Sequence, residues 1–166
     1  MELSGSIEAS LRAREALELF REKKMPVFHI RHISTRPGAT FFLPGSEGAN
    51  IHANVEPLAN EAVIEKNYPN SFRGTPLREQ LEKAGINRLV IAGMMTHMCV
   101  DATTRAAFDL GFECTLLHDA CATSDLAFEA QTVPAVHVHL AFVSALSGIY
   151  AKATSTSEFI SNLRRE

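Results

Sequence analysis

At 166 residues, with 46% hydrophobic and 21% charged side chains, the chain has the length and composition of one globular domain with a sizeable core. A formal net charge of −3 argues against the basic stripe of a nucleic-acid binder, and no apolar run is long enough to span a bilayer. Three cysteines (Cys99, Cys114, Cys121) without a paired framework, and no visible signal sequence, point to a reducing, cytoplasmic setting.

Apolar spacing at Ile7, Leu11, Ala13, Leu17 and Phe20 predicts a helix over residues 6–23. A short strand follows at 26–30. Residues 34–60 read as a long loop punctuated by Pro37, Gly38, Pro44, Gly45, Gly48 and Pro57, and a loop of that length more often walls a site than idles. A strand at 62–65 ends at Lys66. The next helix has Thr75 as N-cap, Pro76 in its first turn and Gly85 as its stop. The apolar strand 89–92 then runs through Gly93 into a turn that delivers Cys99 to the start of an amphipathic helix ending at Gly111. A strand at 113–117 leads to Asp119 and Cys121. Helical pattern resumes near Leu126 and runs, interrupted at Pro134, to about Leu146. The last strand is expected at 149–154, and Ser157-Glu158 opens a closing helix.

This alternation specifies a single α/β domain over 1–166 with a doubly wound parallel sheet. Such a domain usually begins with a strand, whereas this chain begins with a helix, leaving about five strands where six are expected.

Ligands of open α/β sheets sit beyond the carboxyl ends of the strands, where both Lys66 and Cys99 fall. A thiol at a helix start meets unpaired N–H groups and the positive end of the helix dipole, which favour thiolate. A nearby ammonium adds to that effect and can orient a carbonyl. Taken alone, each residue also has an ordinary reading: a free cysteine as a small buried hydrophobe, a strand-end lysine as a solvated charge.

The segments Ile64-Glu65-Lys66 with Ser71-Phe72, Ile91 through Gly93-Met94-Met95-Thr96-His97-Met98-Cys99-Val100, and Asp119-Ala120-Cys121-Ala122-Thr123 together resemble the isochorismatase-like cysteine hydrolases. The resemblance covers essentially the whole chain. It implies a Rossmann-like three-layer α/β/α fold, Cys99 as nucleophile and Lys66 as active-site lysine. It also implies a non-proline cis peptide at Met94–Met95, which would turn the Met95 N–H into an oxyanion hole shared with the Cys99 N–H. Phe72, Phe42 and His97 become candidates for lining the substrate, although each also has a plain packing or turn role. The reaction implied is hydrolysis of a small amide or ureido compound through a thioester. The alternatives are a non-catalytic binding member of the fold and an isochorismate-type vinyl-ether hydrolase.

The same resemblance implies a catalytic aspartate at the end of a first strand, and this sequence has no counterpart. Met1-Glu2-Leu3-Ser4 corresponds to the loop after that strand. Glu2 and Glu8 stand in the wrong places, and Asp101 and Asp119 do not match the role. Losing a central strand would leave two interior strands with unpaired N–H and C=O groups. A start site set too far downstream is the favoured explanation, ahead of a shortened chain or a lineage that replaced the strand.

Some relatives hold a metal on an aspartate and several histidines. Here His29, Arg31 and His32 fall in that region without the spacing, and His52 stands alone, so no metal and no cofactor is expected. His137 and His139 sit two apart on a helix and cannot point the same way. Cys114 and Cys121 read as core. The expected partners are a small-molecule substrate and, with the apolar segment Val136, Val138, Leu140, Ala141 and Phe142 as a candidate surface, other copies of the chain.

Overall fold

The computed structural model describes residues 3–165. The reading of Met1 and Glu2 as part of a loop lies outside them. Helix α1 (Ser6–Glu22) packs Ala16 against Leu117 and Ala120 of the sheet, while buried Ser10 accepts from the Asn54 side chain of the loop that follows the first strand. A five-residue connection leads to β1 (Phe28–His32). That strand starts two residues later than the sequence suggests, consistent with Pro26 having no N–H to give a ladder. The loop after β1 carries two single-turn 3-10 helices before β2 (Ala62–Lys66), α2 (Leu77–Lys83) and β3 (Arg88–Met94).

A π turn (Thr96–Val100) joins β3 to α3 (Asp101–Asp109). Strand β4 (Glu113–Ala122) is paired on both edges at Thr115 and Leu116 and runs five residues beyond the expected end, where Cys121 and Ala122 continue the ladder with Gly93 and Met94 of β3 after a register shift. The remaining elements are β5 (Leu126–Phe128), β6 (Gln131–Val133), α4 (Ala135–Leu146), β7 (Lys152–Thr154) and α5 (Thr156–Leu163).

One expectation is corrected here. Residues 126–133 form an antiparallel β5–β6 hairpin and not the first part of a helix. Glu129 takes a positive φ of 53° at the hairpin tip, and Pro134, which cannot sit inside a helix, caps α4 instead of interrupting it.

The fold is α/β, with parallel β-strands between two helical layers. Successive β4 residues serve opposite faces. Leu116 joins the core formed with Leu77, Leu81, Val100, Ala107 and Leu146, while Leu117 packs with Ala16, Ala120 and the ring of Phe159. Both leucines are fully buried. The α1 side is closed by Phe20 stacked on Phe159 at 6.2 Å. Among the described residues no helix is long and apolar enough to cross a membrane. The apolar α4 segment divides: Val138 is buried and Phe142 packs on His97, whereas Val136 and Leu140 are exposed.

The parallel sheet is split. Strands β1 and β2 form one ladder with His32 opposite Lys66, and β3, β4 and β7 form another. Between β1 and β3 lies a slot of about 400 Å³, with α1 residues Ala13 and Leu17 over one side and Leu77 and Leu81 of α2 under the other.

Candidate active site

Strand β2 ends at Lys66, and the turn after β3 carries Cys99 to the same place. Lys66 Nζ lies 3.0 Å from Cys99 Sγ although 33 residues separate them. The lysine is only 3% exposed, so its ammonium depends on protein partners. These are the backbone carbonyls of Tyr68 at 2.9 Å and Pro69 at 3.0 Å. His32 Nδ1 stands further off at 3.4 Å. Among the described residues no carboxylate is hydrogen-bonded to Lys66.

The loop that supplies those carbonyls is clamped onto α3. Thr103 Oγ1 accepts from the Ser71 N–H at 3.1 Å and lies 2.8 Å from Ser71 Oγ, and it donates to the Pro69 carbonyl at 3.4 Å. Sequence reading missed Tyr68, Pro69 and Thr103. Two of them act through backbone oxygens, which any residue carries. The third is a threonine on an amphipathic helix, which has no signal of its own.

The segment carrying Cys99 is a π turn, not the first turn of a regular helix. The Val100 N–H bonds to the Met95 carbonyl, five residues back, at 3.2 Å. Such widened turns occur frequently at functional sites. The Met94–Met95 peptide is cis, and Met95 is buried directly before the turn. Thr96 at the head of the turn is fully buried, with its hydroxyl 3.0 Å from His139 Nδ1.

Of the candidate lining residues, Phe72 borders the slot beside Cys99 and stacks on Phe112 at 5.8 Å, so it serves the core as well. Phe42 meets His32 edge-on at 5.5 Å, one residue removed from Lys66. His97 Nδ1 is hydrogen-bonded to Thr123 and its ring packs on Phe142, contacts that brace the π turn. Burial lowers the His97 and His32 basicities below the ordinary value, with the Lys66 charge adding to the effect at His32.

The other histidines are separated. His29 is buried against Glu61 at 2.8 Å, and no group of three or more metal-ligating side chains occurs among the described residues. Burial pushes the Cys114 thiol up to about 11 and the Cys121 thiol up to about 12. Asp119 accepts from both the N–H and the hydroxyl of Thr156, fixing the start of α5.

Comparison with known proteins finds relatives of the chain as a whole. The profile of the Isochorismatase domain matches residues 2–145. The isochorismatase family protein YddQ of Bacillus subtilis is 46% identical over 160 residues, spanning 96% of this chain and 89% of that protein. Nicotinamidase 3 of Arabidopsis thaliana is 29% identical over 138 residues, spanning 76% of this chain and 68% of its own. A crystal structure of an isochorismatase-type hydrolase from Oleispira antarctica superposes with a TM-score of 0.92 at 52% identity, covering 96% of this chain and 84% of the other. The chain belongs to the isochorismatase family.

Proposed function

We propose that the chain is a cysteine-dependent hydrolase of small carboxamide or ureido compounds, acting through a thioester on Cys99. The observation that carries this reading is the 3.0 Å contact between Lys66 Nζ and Cys99 Sγ, made by a buried lysine with no carboxylate partner among the described residues. The name of the nicotinamidase relative supports an amide substrate.

The amine's partners suit both protonation states. As a neutral amine, Lys66 donates two N–H bonds to the Tyr68 and Pro69 carbonyls and its lone pair accepts the Cys99 S–H. As an ammonium it keeps those two bonds and donates the third to the thiolate. The proton moves along one existing hydrogen bond, with no rearrangement and no group left unsatisfied.

The sulfur then attacks the substrate carbonyl carbon, forming the C–S bond. The N–H groups of Met95 and Cys99 hold the developing oxyanion, a contribution worth about 3 kcal/mol per donor in comparable enzymes. As the C–N bond breaks, Lys66 returns its proton to the departing nitrogen, and ammonia or an amine leaves. Water attacks the thioester, the C–S bond breaks, and the thiol and lysine regain their starting states. No metal or cofactor enters any step.

Intact-mass spectrometry of the protein incubated with a panel of primary carboxamides and ureido acids tests this. A transient acyl adduct on Cys99, absent in Cys99→Ser, is expected. Substrate turnover that survives Cys99→Ser would overturn the mechanism.

A further inference from the structure

The contact between Lys66 and Cys99 also decides what becomes of an oxidised sulfur. Cys99 is partly exposed, so a small oxidant can reach it, and thiolate is the form that peroxides convert to sulfenic acid. A sulfenic acid is usually captured by a second thiol or by a backbone nitrogen. Both captors are engaged elsewhere. Cys114 and Cys121 are buried, with Cys114 Sγ donating to the Phe112 carbonyl at 3.8 Å and Cys121 Sγ to the Leu117 carbonyl at 3.4 Å. The backbone nitrogen that follows Cys99 is that of Val100, and its N–H is held by the Met95 carbonyl at 3.2 Å. The Lys66 amine, in contrast, already touches the sulfur at 3.0 Å. It is almost wholly buried and fixed there by the Tyr68 and Pro69 carbonyls.

We propose that Lys66 and Cys99 form a reversible oxidation site, in which a peroxide joins the amine nitrogen directly to the sulfur as a sulfenamide. In the first step the thiolate attacks hydrogen peroxide. The O–O bond breaks, an S–O bond forms, and the departing oxygen takes a proton from the Lys66 ammonium and leaves as water. Sulfur has given two electrons to the peroxide, and the amine is now neutral. Its two N–H groups stay on the Tyr68 and Pro69 carbonyls, which aims the lone pair at the sulfur. In the second step that lone pair attacks. The N–S bond forms, the S–O bond breaks, and the hydroxyl leaves as water with one amine hydrogen. Two external thiols reverse the change: the first opens the N–S bond, protonating the amine and forming a mixed disulfide, and the second releases Cys99. The bond stops the sulfur short of sulfinic and sulfonic acids, which thiols do not repair. That it also suspends hydrolysis rests on the function proposed above; the bond itself does not.

The full chain is treated with hydrogen peroxide, then weighed intact and mapped by mass spectrometry after digestion without reductant. The expected product is two hydrogens lighter than the reduced chain, links the peptide containing Lys66 to the peptide containing Cys99, and regains the starting mass with dithiothreitol. A native chain that only gains oxygen overturns the proposal. So does a product of the expected mass without that link, since it would be a disulfide or a backbone sulfenamide. Lys66→Met and Lys66→Arg lose the link entirely. Compared at equal consumption of the reduced thiol, they should carry at least about tenfold more dithiothreitol-resistant acid on Cys99 than the native chain. Equal resistant oxidation in all three proteins would also overturn the proposal. The link is read in the native chain, so a variant that fails to fold does not remove the test. No substrate is used. An acyl adduct on Cys99 without a peroxide-induced link rejects the oxidation site alone, and the link without any acyl adduct supports it while rejecting the hydrolase reading.

Discussion

Cys99, Cys114 and Cys121 show how surroundings divide one residue type into separate roles. Cys114 and Cys121 are buried among apolar neighbours, and burial holds their thiols at about 11 and 12, where almost no thiolate forms at neutral pH. Cys99 is partly exposed and meets an amine. Iodoacetamide at pH 7.5 is therefore expected to label Cys99 alone in the folded protein and all three cysteines after denaturation, as peptide mapping will show. Labelling of Cys121 at a rate comparable to Cys99 would contradict this. Thr103 tests the loop that holds the amine. Replacing it by valine keeps the shape and removes the hydroxyl that ties Ser71 and Pro69 to α3. A tenfold or so drop in kcat with an unchanged melting temperature is expected, of the kind that small misplacements of reacting groups produce. A Thr103→Val enzyme with unaltered kcat would remove the clamp from the account.

At the level of elements, acid sensitivity is concentrated where strands and helices are tied together. Glu61, at the start of β2, accepts from Arg21 of α1, from the Leu58 N–H and from His29 of β1. The Arg21 hydrogen bond is the main reason its carboxyl sits at about 2 against an ordinary 4.5. Its folded value is depressed, so its contribution is complete above about pH 4.5 and is lost as pH falls through 2. Burial also lowers His32, His97 and His139 below their ordinary 6.5, with the Lys66 charge assisting at His32 and His118 at His139. These neutral histidines favour the native state above pH 6.5 and weaken it as they protonate below. Thermal melts from pH 8 to pH 3 should therefore decline in two stages. Glu61→Gln should flatten the second stage and lower the pH 7 midpoint by roughly 4–8 °C, the shift expected for about 2 kcal/mol in a chain of this length. An unchanged acid limb in that variant would remove Glu61 from the explanation.

Much at this scale was legible in the sequence. Helix α1, β2, the Gly85 and Gly111 stops and the location of Lys66 and Cys99 at strand carboxyl ends follow from periodicity, turn residues and sheet topology, whereas the pairing of the two side chains rested on the family resemblance. The β5–β6 hairpin was hidden because its strands are only three residues long each, too short to establish a period, and its tip is Glu129-Ala130 with no glycine to announce a turn. The π turn was hidden because one extra residue in a turn changes hydrogen bonding and not composition.

Across the whole molecule, the divided sheet is the dominant feature. A slot of about 400 Å³ opens between its halves, with Ala13 and Leu17 lining the α1 side. Added side-chain volume there should stabilise, in contrast to overpacking a filled core. Ala13→Leu is expected to raise the melting temperature by a few degrees, and a fall would show that the α1 side of the slot is already filled. The two half-sheets also carry the two reactive groups, Lys66 on one and Cys99 on the other, so the reactive pair depends on how the halves are joined.

The pair itself is tested most directly by the pH dependence of Cys99 alkylation in the native chain and in Lys66→Met. A thiol paired with this amine should react at least about tenfold faster at pH 7 in the native chain than in the variant. Equal rates and superimposable profiles in the two proteins would contradict the account, because they would show that the amine 3.0 Å from the sulfur does nothing to it.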